Sequence, residues 1–174
     1  HSGKNMTYLD EETGEHIIPY VVEPSAGVDR SVLAILCDAY DEEMVRGEQR
    51  VLFHFSPDVA PIKVAVLPLS RKENLSAVAK EIYAVLRPCF TTQYDDTQAI
   101  GRRYRRQDEL GTPYCVTVDF ASLEDREVTI RERDTMAQIR VPIPVLKDTL
   151  LAKLAGEDFM VLPEGGRIWK EEET

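Results

Sequence analysis

The sequence is poor in the residues that staple small domains together. Its 174 residues hold three cysteines, Cys37, Cys89 and Cys115, odd in number and far apart, with no CxxC pair and no Cys/His spacing. That pattern supports neither a disulfide framework nor a zinc site; three buried thiols in a reducing cytoplasm are the expectation, with no metal ligands. Long apolar runs are missing too. VAVLPL, at 64–69, is a long one for this chain and falls far short of the ~20 residues that span a bilayer, so no membrane partner is expected. The opening HSGKNMTYLDEETGEH has no apolar segment of the kind a signal peptide needs. It has no initiator methionine either, and the chain reads as a piece of something longer.

Two nucleotide signatures are absent. There is no GxxxxGK(S/T) loop, and no GxGxxG follows an apolar run, so neither a P-loop nor a dinucleotide fingerprint is available. Positive charge is scarce: 21 Lys and Arg stand against 31 Asp and Glu, a net charge of −10. Wholesale coating of nucleic acid is thereby disfavoured, and no DNA partner is expected. A local basic surface remains possible, because screening confines a charge's reach to about 8 Å at physiological salt. The histidines His1, His16 and His54 are scattered, and no Ser/His/Asp or Cys/His constellation is legible. No catalytic residue is assigned. His54, between apolar neighbours in LFHFSP, reads as structural, and the acid pairs Glu11–Glu12 and Asp95–Asp96 read as solvated or turn residues.

What is present is a globular composition, 43% hydrophobic and 30% charged, long enough to bury a core unaided. IIPYVV (17–22) reads as a buried strand, EPSAGVDR (23–30) as a turn, and RSVLAILCDAY (30–40) as a helix covered on most sides. DEEMVRGEQR (41–50) reads as a linker, with a boundary near residue 47. Downstream, IKVAVLPL (62–69) has the continuous apolar pattern of a strand covered on both faces. Helical spacing follows over 74–87, stopped by Pro88. CFTTQY (89–94) is a strand, 97–110 a helix closed by Gly111, and PYCVTVDF (113–120) another buried strand. EVTIRER (127–133) and QIRVPI (138–143) alternate as an antiparallel pair, and Pro144 opens a last helix. The fold expected is α/β: a five-stranded mixed sheet with flanking helices, preceded by a strand–turn–helix fragment. The tail from Gly156, ending KEEET, is expected to be loosely held.

Two stretches invite chemistry. In EPSAGVDR a carboxylate and a hydroxyl lie two residues apart at a strand's end and so share a side. Such a pair can hold a small ammonium, with Arg30 stacking on a base or pairing with phosphate. A helix-capping turn explains the same residues. In GRRYRRQDELG (101–111) four arginines surround Tyr104. They either meet nucleic acid or pair with Asp108, Glu109 and the RERD hairpin; on a helix they cannot all face one side.

YVVEPSAGVDR (20–30) closely resembles motif 3 of class II aminoacyl-tRNA synthetases in its glycyl-tRNA synthetase form. APIKVAVLPL (60–69), IGRRYRRQDELGTPYCVTVDF (100–120) and RERDTMAQIRV (131–141) resemble the anticodon-binding domain of the same family, in the same order. The resemblance implies a catalytic-domain fragment at 1–46, an anticodon-binding domain at 47–155 and a tail at 156–174. It implies a glycine pocket of Glu23, Pro24, Ser25, Ala26 and Gly27, and an ATP-binding run of Gly27, Val28, Asp29 and Arg30. It also implies tRNA contacts by Arg102, Arg103, Tyr104, Arg105 and Arg106, helped by the hairpin arginines Arg131, Arg133 and Arg140. The activity implied is ligation of glycine to tRNA(Gly) with ATP and Mg²⁺ by a cytoplasmic homodimer. Motifs 1 and 2 are not in this sequence, so the chain alone is expected to be inactive. The alternative is a non-catalytic nucleic-acid-binding homologue.

Overall fold

The computed structural model describes residues 3–169. The chain forms two units, His1–Ala34 and Ile35–Thr174. In the first, β1 (Tyr8–Leu9) pairs antiparallel with β2 (His16–Ile17). The turn between them is held by the Asp10 carboxylate, which accepts from the Glu12 N–H at 3.0 Å and the Thr13 hydroxyl at 2.9 Å. The buried strand expected over 17–22 is not formed: Ile18 to Val22 lie in irregular, exposed backbone. A strand covered on both faces needs ladder partners and apolar cover, and the described residues of this unit supply neither.

Helix α1 (Val28–Ala39) starts where the Ser31 N–H and hydroxyl both donate to the Gly27 carbonyl. Its all-round apolar character predicts burial on most sides. Instead Ala39 is its buried residue, while Val32, Leu33 and Leu36 are exposed.

The segment read as a linker is a hairpin. β3 (Tyr40–Val45) and β4 (Glu48–Phe53) pair in full antiparallel register around Arg46 and Gly47. Both turn residues have positive φ, 52° and 81°, the conformation that a two-residue hairpin turn demands. The boundary expected near residue 47 falls in this turn.

The main sheet is built from β5 (Val64–Pro68), β6 (Thr92–Tyr94), β7 (Tyr114–Val118), β8 (Glu127–Glu132), β9 (Gln138–Pro142) and β10 (Arg167–Trp169). Their order is β10-β9-β8-β7-β5-β6, with β5 parallel to β6 and β7 and the remaining pairs antiparallel. Between strands run α2 (Glu73–Leu86), α3 (Ile100–Leu110), the short α4 (Ser122–Asp125) and α5 (Ile143–Leu154). Val64 and Val66 of β5 pack with Leu75, Ile82, Leu146 and Leu150 from α2 and α5. Ala65, Leu67 and Cys115 pack on the opposite face against Ile100 and Tyr104 of α3. Covered on both sides, β5 and β7 are apolar throughout, as their sequences foretold.

Three expectations are corrected. Among the described residues the sheet has six strands rather than five, because part of the tail returns as β10 on the edge of β9. That tail is anchored: Phe159 stacks on Tyr114 with ring centroids 5.9 Å apart, and the Trp169 ring lies 4.8 Å from the Arg140 guanidinium. KEEE and Thr174 at the extreme end lie outside the described residues. Of the three thiols only Cys115 is buried, and burial pushes it up to about 12. Cys37 sits on the uncovered α1 and Cys89 just past α2, both exposed.

Candidate nucleic-acid interface

Helix α3 carries the arginine cluster and disperses it. At about 100° per residue, Arg103 faces inward, 2% exposed. It donates to the carbonyls of Thr97 (3.1 Å), Gln98 (2.6 Å) and Pro68, tying its own helix start to the end of β5. Burial holds this guanidinium below the usual arginine range, against the pull of Asp95. Arg106 donates from Nε and Nη2 to Asp95 Oδ2 at 3.0 and 2.7 Å. Asp95 is thus a buried ion-pair partner rather than a solvated acid, and it also serves the turn, its Oδ1 accepting from the Thr97 N–H at 2.9 Å. Burial pushes its carboxyl up, but hydrogen bonds from Thr97 and from Arg106 outweigh that and hold it below the usual range.

Arg102 and Arg105 are left on the surface. Arg105 pairs with Glu48, both about half exposed or more; Arg102 has no ion pair among the described residues. Tyr104 is not an open stacking platform. Its hydroxyl is 2.6 Å from the Thr117 hydroxyl, and the Arg131 guanidinium lies 4.8 Å over its ring. As helix geometry requires, the five residues do not share one face: Arg102 and Arg105 are exposed, while Arg103 and Arg106 hold scaffold partners. The hairpin arginines Arg131, Arg133 and Arg140 are buried, at 6%, 4% and 0% exposed, each on carboxylates. They are corrected from RNA contacts to scaffold.

The same helix builds a cleft that the sequence reading missed. Gly101, Tyr104, Arg105 and Asp108, at i, i+3, i+4 and i+7, form one face. They line a cavity of about 370 Å³ with Arg46 of the β3–β4 turn and Met136 of the β8–β9 turn. Its inner wall is a buried triad. Asp108 accepts from Arg50 Nε at 2.9 Å and from both terminal nitrogens of Arg131 at 2.9 and 3.1 Å. The i, i+3, i+4, i+7 spacing was the available signal; the two turns that close the cleft had none.

The residues of EPSAGVDR line none of the clefts found among the described residues. Glu23, Pro24, Ser25, Ala26 and Gly27 are exposed in irregular backbone, and Val28, Asp29 and Arg30 form the exposed first turn of α1. His54 fits its structural reading: Nδ1 is 2.7 Å from Asp134 and Nε2 3.3 Å from Asp41. Among the described residues no group of three His, Cys, Asp or Glu side chains is arranged to hold a metal ion.

Comparison with known proteins follows the sheet. Residues 63–153 match the family described as anticodon binding domain. Over 155 residues, 88% of this chain, the sequence is 56% identical to a glycine–tRNA ligase of Clostridium acetobutylicum and covers 33% of it. A glycine–tRNA ligase of Staphylococcus saprophyticus is 56% identical over 156 residues, again 88% of this chain and 33% of that protein. The chain spans about a third of the length of the curated relatives it matches. Among solved structures, prolyl-tRNA synthetase from Cryptosporidium parvum, complexed with halofuginone and AMPPNP, superimposes with a TM-score of 0.55 at 23% identity. That match covers 60% of this chain and 22% of the other, and it shows the shared fold.

Proposed function

The chain belongs to the anticodon-binding-domain family, and on that premise we propose that it is part of a glycine–tRNA ligase. The observation that carries this reading is the extent of the likeness. A match over 155 of 174 residues leaves too few outside to spare the stretch 1–46, which supports reading that stretch and residues 63–153 as parts of one such enzyme. In this reading 1–46 ends the catalytic domain, 47–155 reads tRNA(Gly) and 156–174 is an appended tail. The complete protein is a homodimer in the cytoplasm; no helix among the described residues is long and apolar enough to cross a membrane.

Glu23 supplies the charge that a glycine ammonium needs, since charge-assisted hydrogen bonds are roughly twice as strong as neutral ones. Pro24, Ser25, Ala26 and Gly27 keep that pocket too small for a side chain. Gly27 to Arg30 lie along ATP, with the Arg30 guanidinium on the adenine. These residues suit the role in one respect visible here: they are exposed, and the Arg30 side chain has no ion pair among the described residues. Ligands for Mg²⁺ are not among them. The glycine carboxylate attacks the α-phosphate in line as the bond to the β,γ-diphosphate breaks and pyrophosphate leaves, which requires alignment and charge stabilisation but no protein nucleophile. On the tRNA side, Arg102 and Arg105 are the arginines of α3 open to phosphate.

Arg30→Ala, made in a protein of the relatives' full length, is expected to lower glycine-dependent pyrophosphate exchange about thirty-fold. That corresponds to the ~2 kcal/mol of a desolvated guanidinium on a ring. The melting temperature should not move. The 174-residue chain by itself should give no exchange. Unchanged exchange in the variant would remove Arg30 from the nucleotide site.

A further inference from the structure

We propose that the outer edge of β9 is a strand-accepting site which this chain fills with its own β10. The partner it fits is an extended segment of another molecule, with a cation, an apolar residue and an aromatic in succession.

The edge and its cover belong to different parts of the chain. β9 lies inside the stretch 63–153 that matches the anticodon binding domain, and β10 lies beyond it. On its inner side β9 is paired with β8 along its length, so the edge is held in shape by the domain itself. An edge strand presents a row of N–H and C=O groups that templates one further strand. β10 answers it antiparallel, Arg167 opposite Arg140, Ile168 opposite Ile139 and Trp169 opposite Gln138.

Charge sets the first position. Two arginines directly across a ladder repel each other, yet here carboxylates stand between them. Asp125 Oδ2 lies 3.0 Å from Arg140 and 3.6 Å from Arg167, and Glu127 pairs with both guanidiniums. Arg140 also holds Asp119 at 2.7 Å. With β10 lifted, the group keeps three carboxylates against one guanidinium. Whatever occupies the edge therefore has to bring a cation opposite Arg140.

Side-chain alternation sets the other two. Arg167 and Trp169 share one face of the strand and Ile168 takes the other. The Trp169 ring lies 4.8 Å from the Arg140 guanidinium, a contact that is stronger for a desolvated cation, and Arg140 is fully buried. Ile168 stands opposite Ile139, which is buried as well.

The resident strand is weakly held. It is three residues long, and Arg167 and Ile168 are both about half exposed. Exposed ion pairs of this kind contribute little. Gly165, with φ of 76°, and Gly166 lead into it, so the approach carries no stiff side chain. A segment with few buried contacts opens at a free energy well below that of global unfolding.

The test uses the 174-residue chain and a fluorescein-labelled peptide PEGGRIW, the sequence of residues 163–169. Fluorescence anisotropy follows its binding to the unsubstituted chain and to two variants that lift β10 by different means. Arg167→Glu does so by charge, and Trp169→Ala by loss of the stack on Arg140. A site filled from within binds only in its open fraction, and a minor state is populated at ~0.1–10%. Both variants should therefore bind the peptide about ten-fold or more tighter than the unsubstituted chain. A peptide with Glu in place of its Arg should lose that gain. Trp169 is the sole tryptophan, and in urea its fluorescence should change before the far-UV circular dichroism does. Coincident transitions would make β10 an integral strand and overturn the proposal. So would variants that bind the peptide no better than the unsubstituted chain, or that fail to fold. Equal binding of the Arg and Glu peptides would overturn the chemistry assigned to the partner.

Discussion

Arg140→Met is expected to lower stability by about 3–5 kcal/mol near neutral pH, the usual cost of removing one partner from a buried ionic group. Arg140 is fully buried on β9. Its Nη1 donates to Asp119 Oδ2 at 2.7 Å, Nη2 reaches Asp119 Oδ1 at 3.1 Å, and Nη2 also reaches Asp125 Oδ2 at 3.0 Å. Glu127 lies 3.4 Å from Nε. Methionine replaces most of the apolar stem but leaves three carboxylates facing one another without the central cation; Arg167, near Asp125 and Glu127, is the cation that remains.

The loss should depend on pH, and its sign follows from Asp119. Burial pushes that carboxyl up, yet hydrogen bonds from Arg140 and Ser122 more than offset burial and hold it below the usual range. A depressed carboxylate stabilises the native protein above the unfolded value of about 3.9. That contribution is lost as pH falls through the lower folded value. In the variant only Ser122 still favours the charged form of Asp119, so burial and the neighbouring acids drive that carboxyl upward and acid relieves its repulsion. Urea melts at about pH 7 and about pH 4.5 should therefore show the two proteins converging by ~1 kcal/mol or more, since a tenfold change in one carboxylate's proton affinity is worth about 1.4 kcal/mol. A gap that stays constant with pH would mean that lost packing, not charge, sets the cost.

Much of this architecture was legible because both faces of the sheet are covered from within the chain. β5, β7, α2 and α5 announce themselves as continuous apolar runs or helical spacing, and the Gly111 cap, with φ of 72°, ends α3 as read. The failures have physical causes. The stretch 17–22 and α1 are apolar, but nothing in the described residues covers them, and periodicity reports a face without saying what meets it. The stretch 41–50 reads as a linker because its turn places arginine where Asn or Gly signals a hairpin. Asp95 reads as a solvated or turn residue, and Asp108 as a possible ion-pair partner within its own basic run. Their arginine partners come from Arg106 on one side, and from Arg50 and Arg131 at 58 and 23 residues' distance on the other; no local pattern encodes the latter pairings. Within the arginine cluster the sequence could say that the four cannot share one face, but not which ones turn inward: Arg103 and Arg106 are spent on the scaffold.

The other large effect is expected at Asp108, which is about 1% exposed and joins the scaffold to the cleft. Asp108→Asn keeps the size but removes the charge that balances Arg50 and Arg131, leaving Arg131 with the face of Tyr104 and Arg50 with Glu43. Two guanidiniums left short of charge in a buried wall should cost about 3–5 kcal/mol. For a chain of this size that lowers the melting temperature by roughly 6–20 °C. A loss below about 1 kcal/mol would show that water reaches both arginines and that the triad is not buried in solution. The triple variant Arg50→Met, Asp108→Leu, Arg131→Met separates stability from use. Replacing a buried ionic group by apolar side chains of similar volume is often neutral or stabilising, so the triple variant should melt well above Asp108→Asn. It also removes two of the four arginines that line the cleft, and its affinity for a hairpin bearing a glycine-anticodon loop should fall although its fold is restored. Recovery of both stability and RNA binding would mean that the buried arginines serve neither.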